Sequence, residues 1–259
     1  MQKLSVVIRN KNQVKSLAFL LKNLSERYID DIDEIIVIDN NSVDNSINVI
    51  NKYYAKLVTI ESFSYGGSAN LAAESSSNNI IVMFSAHAYP VSHDFFKQIK
   101  IKFNENPNLA GTRCLHNPND YKNYINNISS KLDPNKSGLI FCGSAFNKKV
   151  WEKHKFKNDI QTFEDKEWSK RVLSFGYDIE FSPSIFAYEI NRNSKQNFFR
   201  YKNEIIGGFQ LWHTNYDLKT VCKSFIGSII SIFKNTFINL FYTFKKLFFM
   251  LKFISNKPK

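Results

Sequence analysis

The sequence predicts an α/β fold: one domain on a mostly parallel central sheet, followed by a C-terminal amphipathic helical tail. Three observations predict it. Short apolar runs rich in Val and Ile alternate with stretches of helical spacing. A polar or glycine-rich cluster follows each of the first four apolar runs. The stretch from Leu218 to Lys259 carries eight lysines and no acid, yet is rich in Phe, Ile and Leu.

Leu4 to Ile8 is an apolar, β-branched run that reads as a buried strand, and Asn10-Lys11-Asn12 breaks it. Val14 to Leu24 places apolar residues at 14, 17, 18, 20, 21 and 24, one face of a helix. Glu34 to Ile38 is a second strand. Asp39-Asn40-Asn41-Ser42 is turn chemistry, and Ser42 or Asp44 is placed to cap a helix over Ser46 to Tyr54. Leu57 to Glu61 is a third strand, and Gly66-Gly67 opens a loop before a small-residue helix over Ser68 to Ser75. Ile80 to Phe84 is a fourth strand, with Ser85-Ala86-His87-Ala88 and Pro90 behind it and a helix from about His93.

This rhythm is that of βαβ units. Ligands in such sheets bind beyond the carboxyl ends of the strands. That rule singles out the loops after Ile8, Ile38, Glu61 and Phe84.

The pattern loosens from about Gly111. Leu115 to Lys136 reads as a variable loop or small helix, Leu139 to Phe146 as a strand, and Val150 to His154 as a short helix. Phe163 to Phe175 is helical, with Trp168 and Val172 on one side and Trp168 read as core. Tyr177 to Phe181 is a strand ended by Ser182-Pro183. Phe198 to Trp212 is a helix interrupted at Gly207-Gly208. The expected division is a domain over 1–212, with halves of about 1–110 and 111–212, and a tail over 213–259.

The net charge is +12, and the tail supplies eight of those charges. The basic residues sit in an apolar-faced tail, not among stacking aromatics, which argues against a nucleic-acid partner. Three distant cysteines lack metal-ligand spacing and form no disulfide framework, so a reducing cytoplasm is the expected setting. The first residues have too short an apolar run for a signal peptide. No G-x-G-x-x-G follows the first strand, which makes a dinucleotide-dependent dehydrogenase a poor reading. No stretch reaches about 18 uncharged apolar residues, so a membrane span is not expected.

Five stretches carry a resemblance in order: SVVIRNKNQ at 5–13, EIIVIDNNSVDNS at 34–46, FSYGGSAN at 63–70, MFSAHAYP at 83–90 and FEDKEWSKRVLSFGYDIEFSP at 163–183. They resemble the family 2 glycosyltransferases of the A-type, Rossmann-like nucleotide-sugar fold, over roughly residues 4 to 190. The resemblance implies an inverting transfer from a nucleotide-sugar to a hydroxyl of a glycan or lipid-linked acceptor, in a bacterial surface polysaccharide or lipopolysaccharide pathway.

It also assigns roles. Asp39 is matched to the carboxylate that accepts a hydrogen bond from a uracil-type base, although Asp-Asn-Asn-Ser is also good Asx-turn material. Arg9 and Asn10 fall at the nucleotide, and Gly66 and Asn70 are placed beside the donor. Ser85-Ala86-His87 stands where relatives carry Asp-x-Asp, whose carboxylates hold a divalent cation against the leaving diphosphate. Ala86 and His87 are therefore expected at the diphosphate, and His87 is the candidate metal ligand, since imidazole suits Mn²⁺ better than Mg²⁺. With both acids gone the cation requirement is weakened, and Lys, Arg or Asn groups are the substitute screen. Glu164-Asp165 resembles the catalytic-base motif. Asp165 is matched to the base that takes the acceptor proton and Glu164 to an orienting role. A binding-only relative without catalysis is the rival that the missing Asp-x-Asp suggests.

In the tail, Phe225, Ile229, Ile232, Phe233, Leu240, Phe244, Leu247 and Leu251 recur at helical spacing, while Lys223, Lys234 and Lys245 stack on another side. This is the pattern of an interfacial helix or helix pair on an anionic membrane, which places the protein peripherally on the inner face of the cell membrane.

Overall fold

The computed structural model describes residues 3–189 and 192–257. Two compact units divide the chain, residues 1–211 and 212–259.

The first unit opens with β1 (Leu4–Asn10), α1 (Val14–Arg27), β2 (Glu34–Asp39), α2 (Ser46–Lys52), β3 (Lys56–Thr59), α3 (Tyr65–Ser75) and β4 (Ile80–Ser85). There follow β5 (Ala88–Pro90), α4 (Phe95–Glu105), β6 (Leu109–Leu115), α5 (Pro118–Ile125), α6 (Pro134–Ser137), β7 (Ser144–Asn147) and α7 (Lys148–Lys153). It ends with α8 (Glu164–Ser174), β8 (Asp178–Tyr188) and α9 (Ser194–Trp212), whose last residue falls in the second unit. The strands form one eight-stranded sheet in the order β3-β2-β1-β4-β7-β6-β8-β5. β1 pairs in parallel with β2 and β4, β2 with β3, and β6 with β8, while β7 and β5 run against their neighbours. The expected mostly parallel α/β sheet is what the chain forms.

The sheet is covered on both faces, which is why β1, β2 and β4 read as continuous apolar runs. On one face Val6 and Ile8 of β1 pack with Leu17, Leu20, Leu21 and Leu24 of α1 and Phe95, Phe96 and Ile99 of α4. On the other, Val7 packs with Ala69, Ala72 and Ala73 of α3 and with Trp151, Trp168 and Val172 of α7 and α8.

Several elements differ from expectation for identifiable reasons. Gly66 and Gly67 lie inside the first turn of α3, because Ser64 caps it by accepting from the Gly67 N–H at 2.9 Å. The predicted strand over Leu139 to Phe146 shrinks to β7. Upstream of it, backbone N–H groups go to side chains: Leu139 to Ser169 Oγ, Ile140 to Ser144 Oγ and Phe141 to Asp165. Gly143 then takes a left-handed φ of +73°, where a Cβ would lie 2.2 Å from the Phe186 ring. β8 runs through Pro183 to Tyr188, and the β6–β8 register shifts past Arg113 and Phe181, so an irregularity absorbs the proline. β6 itself went unread, as its Gly111-Thr112-Arg113 interrupts any apolar run.

The tail forms a single helix, α10 (Leu218–Ser255), one of the two arrangements its spacing allows. All its residues are exposed. A membrane span is not expected for want of about 18 uncharged apolar residues in a row, but α10, with its lysines spread out, is long and apolar enough to cross one by length and composition alone.

Candidate active site

The first half of the site is the carboxyl rim of β1, β2 and β4. Parallel registers set Asn10 beside Asp39 and Arg9 beside Ser85. Asp39 is buried. Its Oδ1 accepts from Asn10 Nδ2 at 2.8 Å and Ser42 Oγ at 2.7 Å, and its Oδ2 accepts from the Ser42 N–H at 2.8 Å. Asp39 therefore does close an Asx-turn. A carboxylate has about four acceptor positions, so one on Oδ2 stays open for a ligand donor. Asp44 accepts from the N–H groups of Val14 and Ser46 and caps local backbone.

Two polar atoms on this rim, Arg9 Nε and Asn10 Oδ1, are buried without a partner among the described residues. Orphaned buried polar groups are costly and concentrate at functional sites.

The second half is the start of α8. Phe163, just before it, holds a left-handed φ of 69°, a conformation uncommon for a bulky residue. Glu164 and Asp165 follow. The Asp165 carboxylate is gripped at both oxygens: Oδ2 accepts from the Phe141 N–H at 2.8 Å, and Oδ1 from the Lys166 N–H at 2.7 Å. Two acceptor positions remain. Burial pushes its pKa above the ordinary aspartate range, against the two N–H groups, Lys166 and Arg9, which hold it down. Glu164 is 4% exposed. Burial, then the charge of Asp165, pushes its carboxyl up to about 7, with Arg9 opposing.

Arg9 joins the halves. Both its terminal nitrogens lie 3.4 Å from Glu164 Oε1, and its guanidinium sits 5.3 Å from the Phe141 ring centre and 5.9 Å from that of Tyr65. A second tie is the Ser85 N–H, which donates to Cys142 Sγ at 3.1 Å, next to the Phe141 that holds Asp165. Burial keeps that thiol neutral, with its pKa pushed up to about 12. Phe141 and Cys142 were not singled out from the sequence, where they look like strand residues.

Gly66 and Asn70 do other work than expected. A Cβ on Gly66 would lie 1.9 Å from the Lys157 carbonyl oxygen, so the close approach that needs glycine is to the chain's own backbone. Asn70 accepts from Trp151 Nε1 and the Phe156 N–H and donates to the Phe156 carbonyl and Asn158 Oδ1, all at 2.8–3.0 Å. Its amide has no position left for a nucleotide. It is a bracket for the segment leading to Glu164.

Ala86 is buried, its N–H on the Arg9 carbonyl at 3.0 Å. His87 faces the start of α1: its Nδ1 lies 2.7 Å from Gln13 Oε1 and its ring 5.0 Å from that of Tyr188. It lines a 220 Å³ cavity with Lys15, Ser16, Phe19, Ala86, Tyr89 and Glu189. Burial, then Arg192, lowers its pKa, so the ring is neutral at pH 7. No group of three His, Cys, Asp or Glu side chains converges among the described residues. With Ser85 and Ala86 carrying no carboxylate and one His87 nitrogen engaged, the residues present do not fit a cation held by the protein alone.

The fold is shared with solved glycosyltransferase structures. A mannosyltransferase from Pyrobaculum calidifontis, in complex with GDP-Man and Mn²⁺, superposes with a TM-score of 0.65 at 15% identity, over 85% of this chain and 66% of that one. Glucosyl-3-phosphoglycerate synthase from Mycobacterium tuberculosis, in complex with Mn²⁺, UDP and glucosyl-3-phosphoglycerate, gives 0.57 at 12%, over 78% and 77%. Residues 1–349 of S. aureus TarS give 0.57 at 14%, over 83% and 67%. No curated protein sequence matches the chain. The model of glycosyl transferase family 2 matches residues 5–175, the span from β1 through α8 that holds both the Asp39 rim and the Glu164-Asp165 pair, and the chain belongs to that family.

Proposed function

We propose that the chain is an inverting glycosyltransferase that moves a sugar from a nucleotide-sugar donor to a hydroxyl of a glycan or lipid-linked acceptor at a membrane surface. The observation that carries this reading is the fixed Asp165 carboxylate. Two backbone N–H groups set its orientation, burial raises its basicity, and Arg9 links its neighbour Glu164 to the Asp39 rim.

The base of the donor lies against Asp39, and the diphosphate lies near the ends of β1 and β4. Asp165 takes the proton from the acceptor hydroxyl as that oxygen attacks the anomeric carbon from the face opposite the diphosphate. The C–O bond to the diphosphate breaks, and the configuration inverts. A carboxylate more basic than usual is the better acceptor for that proton. Arg9 offers positive charge beside the leaving group. Two relatives carry Mn²⁺ in their structures. Here a divalent cation would arrive bound to the donor's own phosphate oxygens, with His87 as a neutral neighbour. α10 serves as the membrane element, and its eleven-residue lysine spacing suits an anionic inner leaflet.

A thermal-shift screen of nucleoside diphosphates and their sugars, with and without Mn²⁺, tests the donor assignment. A uridine or related nucleotide raises the melting temperature, and Asp39→Ala removes the shift. No shift with any nucleotide at about millimolar concentration, the top of the usual range of KM values, contradicts it.

A further inference from the structure

α9 has two unlike faces. One is docked on the segment that leads into Glu164. Asn203 is buried and accepts from Gln161 Nε2 at 3.2 Å; Gln210 accepts from the Gln161 N–H at 3.0 Å and donates to the Asp159 carbonyl at 3.3 Å. Gly207 lets the helix close on Thr162, whose Cγ2 would lie 2.8 Å from a Cβ there. Those contacts recur at 203, 207 and 210, one side of a helix.

The other face is apolar and points outward. Phe198 is 63% exposed, Tyr201 60% and Phe209 54%, all turned away from the row 203, 207 and 210, while Phe199 at 57% and Ile206 at 45% are exposed at the edge of the docked side. Lys195 and Lys202 are exposed among these rings, and Lys202 lies 5.8 Å from the Phe198 ring centre. The helix's one acid, Glu204, is in an ion pair with Arg200. An outward stripe of aromatics interleaved with lysines is costly to leave in water. It matches an anionic lipid interface, where rings sit at headgroup depth and lysines meet phosphates.

We infer that α9 is a second lipid-contacting element, belonging to the transferase unit itself, which seats the entrance to the Glu164-Asp165 pair on an anionic membrane. This extends the membrane part of the reading above and rests on it. The docked and outward faces of α9 are separated by one helix thickness, roughly 10 Å. The segment leading into Glu164 then lies about one helix thickness from the interface.

Single-cysteine variants of the full chain test this. Cys114 and Cys142 are buried, so Cys222→Ser removes the exposed thiol. An NBD label is then attached at Phe198→Cys or Tyr201→Cys in α9, at Ile229→Cys in α10, and at Asn51→Cys as a remote control. Each is mixed with phosphatidylcholine vesicles with or without phosphatidylglycerol and treated with dithionite. Protection at 198 and 201 by the anionic vesicles, with 51 still reactive, is the expected result. Lys195→Ala and Lys202→Ala each weaken vesicle binding about fivefold. Full reactivity at 198 and 201 with protection at 229 overturns the role of α9 and leaves α10 as the anchor. Reactivity at 229 as well ends the membrane reading itself. Protection without vesicles overturns the inference too: it marks a second copy if lost on dilution, and the chain's own tail if not.

Discussion

Both terminal nitrogens of Arg9, at the end of β1, lie 3.4 Å from the buried Oε1 of Glu164, at the start of α8. This ion pair fastens the Asp39 rim to the acid pair. Removing one partner of a buried pair leaves a charge without compensation. Arg9→Ala should therefore cost about 3 kcal/mol of stability where Glu164 is ionised. The cost should shrink where Glu164 is neutral and needs no counter-charge. Urea midpoints at about pH 5.5 and about pH 8.5 read the difference. An equal loss at both pH values contradicts the pairing.

Glu164 also sets a pH dependence of stability. Its carboxyl rises from an ordinary 4.5 to about 7 on folding, through burial and the charge of Asp165. Between those values the folded chain holds a proton that the unfolded chain has released. The stability linked to this group is complete below about pH 4.5 and is lost as pH rises through about 7, on the order of 3 kcal/mol in all. Glu164→Gln should flatten that slope. A variant as steep as the parent across this window assigns the titration to another group.

Asn70 and Gly66 are expected to act on stability before they act on ligand. Asn70→Ala strands the Trp151 Nε1–H and the Phe156 N–H, at roughly 1–3 kcal/mol for each buried donor. Gly66→Ala drives a methyl into the Lys157 carbonyl and should melt lower still. Denaturation and nucleotide titration on the same samples separate the two effects. An Asn70→Ala protein of unchanged stability that no longer binds nucleotide would restore Asn70 to the donor site.

The sequence reveals most where burial is complete and local pattern is unbroken. β1, β2 and β4 are apolar on both faces, so their runs are plain. β6 is hidden because Gly111 to Arg113 break its run, and β8 is legible only as far as Phe181 because Pro183 breaks the pattern that a register shift then accommodates. Asp39 and Asp165 stand in recognisable motifs, and the chain places each at the mouth of its element. The bonds that decide side-chain roles are long-range. Arg9 meets Glu164 across 155 positions, Asn70 meets Trp151 across 81, and His87 meets Gln13 across 74. No spacing rule reaches that far, which is why Asn70 looked like a ligand contact and is a bracket.

His87 stands alone as a ring nitrogen beside Ser85 and Ala86. Mn²⁺ titrated into the nucleotide-free chain should show no saturable binding below about millimolar, as one neutral imidazole cannot supply the several ligands such a site needs. Electron paramagnetic resonance of free Mn²⁺ measures it. A micromolar site that disappears in His87→Ala would show that the chain holds a cation before the donor arrives.

The base assignment is tested most directly by Asp165→Asn. The amide keeps the shape of the carboxylate and one of its two backbone N–H bonds but cannot take the acceptor proton, so transfer should fall by at least about 10²-fold, the lower bound of a general base's contribution. Donor affinity, which the proposal assigns to the Asp39 rim, should stay within about threefold, less than 1 kcal/mol. Calorimetry with the nucleoside diphosphate and a parallel assay of its release from the nucleotide-sugar give both numbers from one preparation. Turnover retained in Asp165→Asn, with donor binding intact, removes Asp165 from the reaction.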